Sequence, residues 1–487
     1  MRIEHSGSAN GDAMRHKKAT YTRRQFLAQA GGIMLTMGWG MRQARGQEKA
    51  RKERAASKRP NLLVLVTDDQ RWDAMGCMGN PIIRTPHMDR LAEEGVIFVN
   101  NFCTTSICMS SRASIFTGMY TRRHGINRFD QPLSEEHFVI TYPVLLRGAG
   151  YRTGFIGKWG LGGRLPKKAF DFFEGFGGQG RYFHEVNGKT VHLTRILTEQ
   201  ALEFLRGCSR DQPFCLSISF KAPHVQDNDP RQFLYDPALE ELYSDVTIPT
   251  PKTADPRYFE SLPEFLRDSE GRRRWQIRFS TPEKYQESVK GYYRLITGVD
   301  LALGRIWEAL REMGFDGNTV ILLTSDNGFF LGEHGLAGKW LMYEESIRTP
   351  LIVRDPRLPS SRRGRRRKEM TLNVDLAPTL LDLAGVPIPS AMQGRSLRPL
   401  IEGKEVRWRE DWFYEHLFEH PRIPKSEGIR TSRWKYIRYV DYDPPYEELY
   451  DLANDPHEEH NVIGESDYSE VLSTLRRRWR EMRESLK

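Results

Sequence analysis

"NLLVLVTDD", Asn61–Asp69, is apolar at almost every position and then stops on two acids. A strand with one wet face alternates apolar and polar residues. A strand covered on both faces reads instead as a continuous apolar run. The stretch therefore predicts a buried strand of a largely parallel sheet, with Asp68 and Asp69 at its carboxyl end. Two other runs repeat the pattern, "PFCLSISFKAPH" (213–224) and "TVILLTSDNG" (319–328). Helical signals lie between them. In "TPHMDRLAEEG", Thr85 is the expected N-cap, Pro86 the first helical residue and Gly95 the stop, ahead of a strand at 96–100. "YPVLLRGAGYRTGFIGKWG" (142–160) reads as helix, turn, strand and loop, and a long helix is expected over about 283–314.

Strands alternating with helices predict an α/β fold on a mostly parallel sheet. Ligands in such sheets bind beyond the carboxyl ends of the strands. Four polar groups are expected there: Asp68/Asp69, Lys158, His224 and Asp326/Asn327. Past about residue 405, short stretches such as "GIRTSRWKYIRYV" and "EELYDLANDP" read as antiparallel strands, followed by a charged helix at 468–485. The expected division is a catalytic domain over 60–405 and a small α+β subdomain over 406–487.

The N-terminus reads as an address. "TRRQFL" (22–27) resembles a twin-arginine export motif and precedes a mildly apolar run too short and Gly-rich for a stable membrane span. Residues 1–46 are the expected export signal and 47–59 a charged linker. The expected location is periplasmic or secreted, with the twin-arginine export machinery as a partner. Residues 1–59 hold 14 of the 73 Lys/Arg and 4 of the 64 Asp/Glu. The remainder, with 59 basic and 60 acidic residues, is close to neutral, so no nucleic-acid partner is expected. The run "RRGRRRK" (362–368) reads first as a solvated loop, with a polyanion contact as the lesser reading. The five cysteines show neither a disulfide framework nor a CxxC zinc spacing.

Asp68, Asp69, Asp326 and Asn327 offer only hard oxygen donors, which suit Ca²⁺ or Mg²⁺ rather than zinc. Cys108 opens a predicted helix at 108–117, with Arg112 one turn on along the same face. Helix N-termini attract anions, so position 108 is expected to face an anion held by Arg112. A soft sulfur matches a hard-cation cage poorly. An oxygen-bearing group at 108 fits better.

These pieces carry a resemblance. Cys108-Met109-Ser110-Ser111-Arg112 followed by Thr117-Gly118, with "VTDDQR", "GKWGLG", "APH", "SDNG", "GEHGLAGK", "LAPTLLDLAGV" and "WKYIRY…ELYDLANDP" in order, resembles the formylglycine-dependent sulfatases of the alkaline phosphatase superfamily. The resemblance implies an alkaline phosphatase-like fold: a large mixed, mostly parallel sheet flanked by helices, with the C-terminal subdomain appended. It implies that a maturation enzyme oxidises Cys108 to Cα-formylglycine. Its hydrate would attack a sulfate ester, with a sulfated carbohydrate the expected substrate. The implied metal, Ca²⁺ with Mg²⁺ as the alternative, is held by Asp68, Asp69, Asp326, Asn327 and an oxygen of modified Cys108. Arg112, Lys158 and Lys339 would stabilise charge on the sulfuryl oxygens, and His224 would protonate the leaving alcohol with help from Lys339. His124 in "RRHG" and His334 in "GEHG" are each site or structural residues.

Two positions depart from the family pattern. Ser110 stands where the maturation motif commonly has Pro or Ala. Gly160 stands where much of the family has the histidine assigned to deprotonating the hydrate. That task is then expected of another base, with His124 the candidate, or adduct breakdown is slow. The alternatives are a phosphodiesterase or phosphonate hydrolase of the same superfamily, or a non-catalytic binder if Cys108 is not converted.

Overall fold

The computed structural model describes residues 59–486. The expected export signal, and the linker up to residue 58, lie outside the described residues. Eight strands form the main sheet: β1 (Asn61–Asp68), β2 (Val96–Phe98), β3 (Arg152–Lys158), β4 (Phe172–Phe176), β5 (Phe214–Pro223), β6 (Thr319–Ser325), β7 (Leu351–Arg354) and β8 (Arg365–Arg367). Their order is β8-β2-β7-β6-β1-β5-β3-β4. All pairings are parallel except those of β7 with β2 and β6. The large, mostly parallel sheet expected from the sequence is present.

Both faces of the sheet are covered, which is why its central strands read as unbroken apolar runs. Leu63 and Leu65 of β1 enter one core, with Leu197 and Ala201 of helix Leu193–Arg206 and Leu303 and Ile306 of helix Pro282–Glu312. Leu62, Val64 and Val66 enter the other, with Met109 and Ile115 of helix Cys108–Thr117 and Leu380 of helix Leu376–Leu383. Among the described residues no helix is long and apolar enough to cross a membrane.

Strands Asp411–His416, Ser426–Thr431, Trp434–Tyr439 and Tyr446–Asp451 form a four-stranded antiparallel sheet, and helix Ser469–Ser485 packs against it. A third core joins Trp412, Tyr414, Tyr436 and Leu472 of this region to Phe102, Phe330, Tyr343 and Leu372 of the larger one.

Three local expectations change. "RRGRRRK" is not a loop throughout, because Arg365–Arg367 forms the edge strand β8. The strand at 96–100 breaks after Phe98 and pairing resumes at Asn101–Phe102. Thr85 occupies the N-cap, but its hydroxyl donates to the Asp89 carboxylate (3.1 Å) and accepts from the Gly76 N–H (2.9 Å). The free N–H groups of that helix go instead to Asp300 of the long helix. Met88 N–H donates to Oδ1 (2.7 Å) and His87 N–H to Oδ2 (3.3 Å). Nothing local in the sequence announces such a long-range cap.

Candidate active site

Parallel register assembles the site. Thr67 pairs with Ser325, so the next residues, Asp68 and Asp326, leave β1 and β6 side by side. Asp68 also pairs with Pro223, which brings His224 to the other flank of β1. Lys158 ends β3, one strand further out. Asp69 takes a left-handed conformation (φ 69°), a local strain at the turn that carries two adjacent acids. Its N–H donates to Asp326 Oδ1 (3.1 Å), and Asn327 Nδ2 donates to Asp69 Oδ1 (2.6 Å).

Three carboxylates thus meet three cations. Lys158 binds Asp68 and also donates to Gln179 Oε1 (2.6 Å). Lys339, which follows the short hairpin Phe330–Gly338, binds Asp69. Arg112 Nε donates to Asp326 Oδ2 (2.8 Å), while Nη1 donates to the Lys158 carbonyl (3.0 Å) and to Ser219 Oγ. All seven of Asp68, Asp69, Asp326, Asn327, Arg112, Lys158 and Lys339 are buried. Cys108, buried at the first turn of its helix, lies within electrostatic reach of Arg112 and Lys339.

Burial would raise the Asp68 carboxyl, but Lys158, His224, Arg112 and Lys339 hold it well below the usual carboxylate range. Burial pushes Asp69 up to about 6 against the pull of Lys339, and the neighbouring acids Asp68 and Asp326 add to the rise. Burial holds His224 well below the usual imidazole value. Its Nδ1 bonds the Val225 carbonyl (2.7 Å), and its Nε2 faces Asp69 Oδ2 at 3.6 Å.

Among the described residues of this cluster, three buried polar atoms have no hydrogen-bond partner: Asp68 Oδ1, Asn327 Oδ1 and Arg112 Nη2, the last held only by a longer ion pair with Asp68 Oδ2 (3.4 Å). Such orphans are costly unless something is meant to meet them. Two are oxygen acceptors that a hard cation satisfies, and one is a guanidinium donor that an anion satisfies. Asp68, Asp69 and His224 also each offer an atom within 4.8 Å of one another. The donor set fits a divalent cation of the Ca²⁺ or Mg²⁺ kind.

His124 is not drawn into this cluster by any hydrogen bond. Its Nε2 bonds Ser114 Oγ (3.1 Å), its Nδ1 accepts from the Ile126 N–H (3.0 Å), and burial lowers its pKa to about 3. Ser110 joins the same loop, donating to the Ile126 carbonyl (2.6 Å). His334 packs against Tyr343 (centroids 4.9 Å apart). Gly160, at φ 77°, leaves the space that Arg112 fills. A Cβ there would lie 2.3 Å from Arg112 Cδ.

Several supporting residues escaped the sequence reading. Lys221 is buried in β5, donates to the Val225 carbonyl (3.0 Å) and lies over the Tyr182 ring (4.8 Å). The same carbonyl fixes His224, whose own carbonyl accepts from Tyr182 OH (2.6 Å). Burial pulls Lys221 down to about 8, and Lys158 adds to the fall. Behind Asp326, Ser111 donates to its carbonyl and Asn373 Nδ2 donates to Ser111 Oγ (2.8 Å). A lysine inside an apolar strand, as in "SFKAPH", was the one available sign.

The sequence profile described as Sulfatase matches residues 60–386. The chain belongs to the sulfatase family. This sulfatase is a sulfuric ester hydrolase of the alkaline phosphatase superfamily. A second profile, N-sulphoglucosamine sulphohydrolase, C-terminal, matches residues 332–485. The sulfatase is 31% identical to N-acetylglucosamine-6-O-sulfatase of Bacteroides thetaiotaomicron, over 88% of this chain and 86% of that one. A solved structure in complex with its substrate D-glucosamine-2-N,6-O-disulfate shares the fold at a TM-score of 0.78 and 30% identity, covering 88% of this chain and 98% of the other. A phosphonate monoester hydrolase of Agrobacterium radiobacter is alike in fold alone, at a TM-score of 0.68 and 24% identity over 88% and 96% of the two chains.

Proposed function

We propose that this sulfatase removes sulfate from a sulfated carbohydrate, with Cys108 converted to Cα-formylglycine and a Ca²⁺ ion, or Mg²⁺ in its place, held by Asp68, Asp69, Asp326, Asn327 and the oxygen at position 108. The observation that carries the proposal is the trio of orphans, two buried acceptors beside one buried guanidinium donor. Charge balance points the same way. The three carboxylates are already matched by Arg112, Lys158 and Lys339, and Lys221 adds a further buried cation. A divalent ion would leave a strong positive excess, suited to an anionic ester. When bound, the metal supplies Lewis-acid polarisation of the ester oxygens, and the formylglycine hydrate supplies the nucleophilic oxygen.

The chain's own residues do the rest. Arg112, Lys158 and Lys339 line the acid cluster and offer donors to charge developing on the sulfuryl oxygens. His224 donates its Nδ1–H to the Val225 carbonyl, so it passes a proton to the leaving alcohol only after Nε2, which faces Asp69 Oδ2 at 3.6 Å, has taken one up. Both ring nitrogens of His124 are engaged in its own loop, so it serves as the base missing at Gly160 only by releasing Ser114 or the Ile126 N–H; otherwise adduct breakdown is slow. The likeness to N-acetylglucosamine-6-O-sulfatase supports an amino-sugar sulfate as substrate.

Peptide mass analysis around Cys108, on protein from its native producer, tests the conversion. An unmodified thiol in active enzyme would remove the formylglycine mechanism. A panel of sugar sulfates, aryl sulfates, phosphodiesters and phosphonates, with and without chelator, tests the ester class and the metal. Export through the twin arginines is tested by fractionation. Replacing Arg23 and Arg24 with lysine should retain the protein in the cytoplasm.

A further inference from the structure

β8 is the outermost strand of the main sheet and pairs only with β2. Charge on an edge strand protects it from pairing with other chains, but the charge here is much denser than that task requires. Across 362–368 the guanidinium groups are held mainly by main-chain carbonyls. Arg362 Nη1 donates to Gly403 (3.3 Å), Arg363 Nη2 to Pro356 (2.9 Å) and Leu358 (3.1 Å), Arg365 to Ser361 (3.0 Å) and Arg366 Nη1 to Cys77 (2.8 Å). Only Arg367 has a carboxylate partner, Glu369. A carbonyl orients a guanidinium without neutralising it. Arg362, Arg363, Arg365, Arg366 and Lys368 therefore present five positive charges with no ion pair among the described residues. Exposed arginines elsewhere among the described residues are either paired with an acid, as Arg90, Arg147, Arg195 and Arg305 are, or stand unpaired and scattered, as Arg164, Arg181 and Arg206 do; this edge differs in gathering five unpaired cations within seven residues.

We propose that this edge is a docking surface for a sulfated polysaccharide chain, outside the catalytic site. The proposal rests on the carbohydrate-sulfate reading above and extends it from a single ester to a polymer. Planar guanidinium forks match the oxygens of a tetrahedral oxyanion, and tethered heads lose little freedom on binding. The run carries no aromatic residue to stack bases and no apolar residue to enter a bilayer, as a nucleic-acid strand or a membrane would want. β8 runs parallel to β1, so both point toward the end of the sheet that carries the acid cluster. Four inter-strand spacings, roughly 19 Å, separate the strands, and the register sets Arg365 level with Val64, four residues or about 13 Å along β1 before Asp68. No single sugar spans that gap, but a chain of several does. Two contacts on one polymer raise its effective concentration at the catalytic site.

The test compares the full chain with a variant carrying Arg362→Gln, Arg365→Gln and Arg366→Gln. Glutamine keeps a donor for each carbonyl and removes the charge. Turnover of a small aryl sulfate should stay within about twofold, which checks folding. Affinity for dextran sulfate, read with neutral dextran as control, should fall at least tenfold. The slope of log Kd against log salt should become shallower by about two, at about 0.7 per lost contact. Affinity and slope unchanged by the substitutions would overturn the proposal. So would tighter binding of single-stranded DNA or phosphatidylserine vesicles than of dextran sulfate, lost in the same variant. Binding is scored without hydrolysis, so failure of the ester panel would strike the substrate reading and leave this measurement intact.

Discussion

Gly160 gives the sharpest test of how the site is packed. Its φ of 77° is left-handed, and a Cβ there would sit 2.3 Å from Arg112 Cδ and 3.0 Å from Nε. Placing a side chain in that conformation costs about 1–2 kcal/mol. Arg112 must then move, and its Nε would leave Asp326 Oδ2, now 2.8 Å away. Losing a hydrogen bond to a charged group costs about 1.5–3 kcal/mol. Gly160→Ala and Gly160→His should each lose about 2.5–5 kcal/mol, because the clash begins at Cβ. Restoring the histidine common in the family should thus lower turnover rather than raise it. Urea unfolding measures the first quantity and aryl sulfate hydrolysis the second. A Gly160→Ala protein within about 0.5 kcal/mol of the parent, or a Gly160→His protein with higher turnover, would refute the packing argument.

Three other perturbations follow from the same geometry. Asp69, raised to about 6 by burial, must lose its proton to hold a metal; metal affinity followed by calorimetry should fall about tenfold per pH unit below pH 6 and level off above it. Lys221→Met frees one anchor of the carbonyl that fixes His224. Hydrolysis of a sugar sulfate, which needs a proton at its leaving oxygen, should fall about 10- to 100-fold, a partial loss of the roughly 10²–10⁴-fold that a positioned general acid supplies, while an activated aryl sulfate should lose far less; equal losses would deny Lys221 a role in placing His224. Burial raises Asp300 to about 7. A folded pKa above the unfolded value of about 4 means that its contribution is full below pH 4 and is lost as pH rises through 7. Asp300→Asn keeps an acceptor for the helix it caps, so the gap between melting temperatures at pH 5.5 and 8.5 should narrow.

The central strands were legible because burial on both faces leaves an unambiguous apolar run, and "NLLVLVTDD" and "TVILLTSDNG" proved adjacent and in register. That register alone brings Asp68 and Asp326 together, so the acid cluster follows from the fold. Lys339 was reachable only through motif resemblance, since it follows a hairpin whose docking no periodicity encodes; helical spacing set Arg112 beside Cys108 but not against Asp326. Gln179 and Asn373 were invisible, because each acts through a partner distant in sequence, while Lys221 left one sign, a lysine inside an apolar run. β8 was misread because polar edge strands lack the apolar signal that marks interior ones. The stretch "EGRRRWQIRF" (270–279) reads from the residues alone as an anion reader or, equally, as a solvated loop. Residues Glu270–Arg278 form a helix, with Arg273 and Arg274 paired to Glu270 and Arg278 to Asp227.

Cys108 is only 2% exposed, and Ser110, Ser111 and Arg112 beside it are buried as well. A macromolecular catalyst has no purchase on that segment once the helix has docked between its acid cluster and the Ser110–Ile126 loop. Any enzymatic change to the cysteine is therefore a race against folding. Under the formylglycine mechanism proposed above, conditions that speed collapse of the chain would leave more molecules permanently inert, and the fraction that becomes active would be fixed at birth, by the order of two events rather than by the stability of the finished fold.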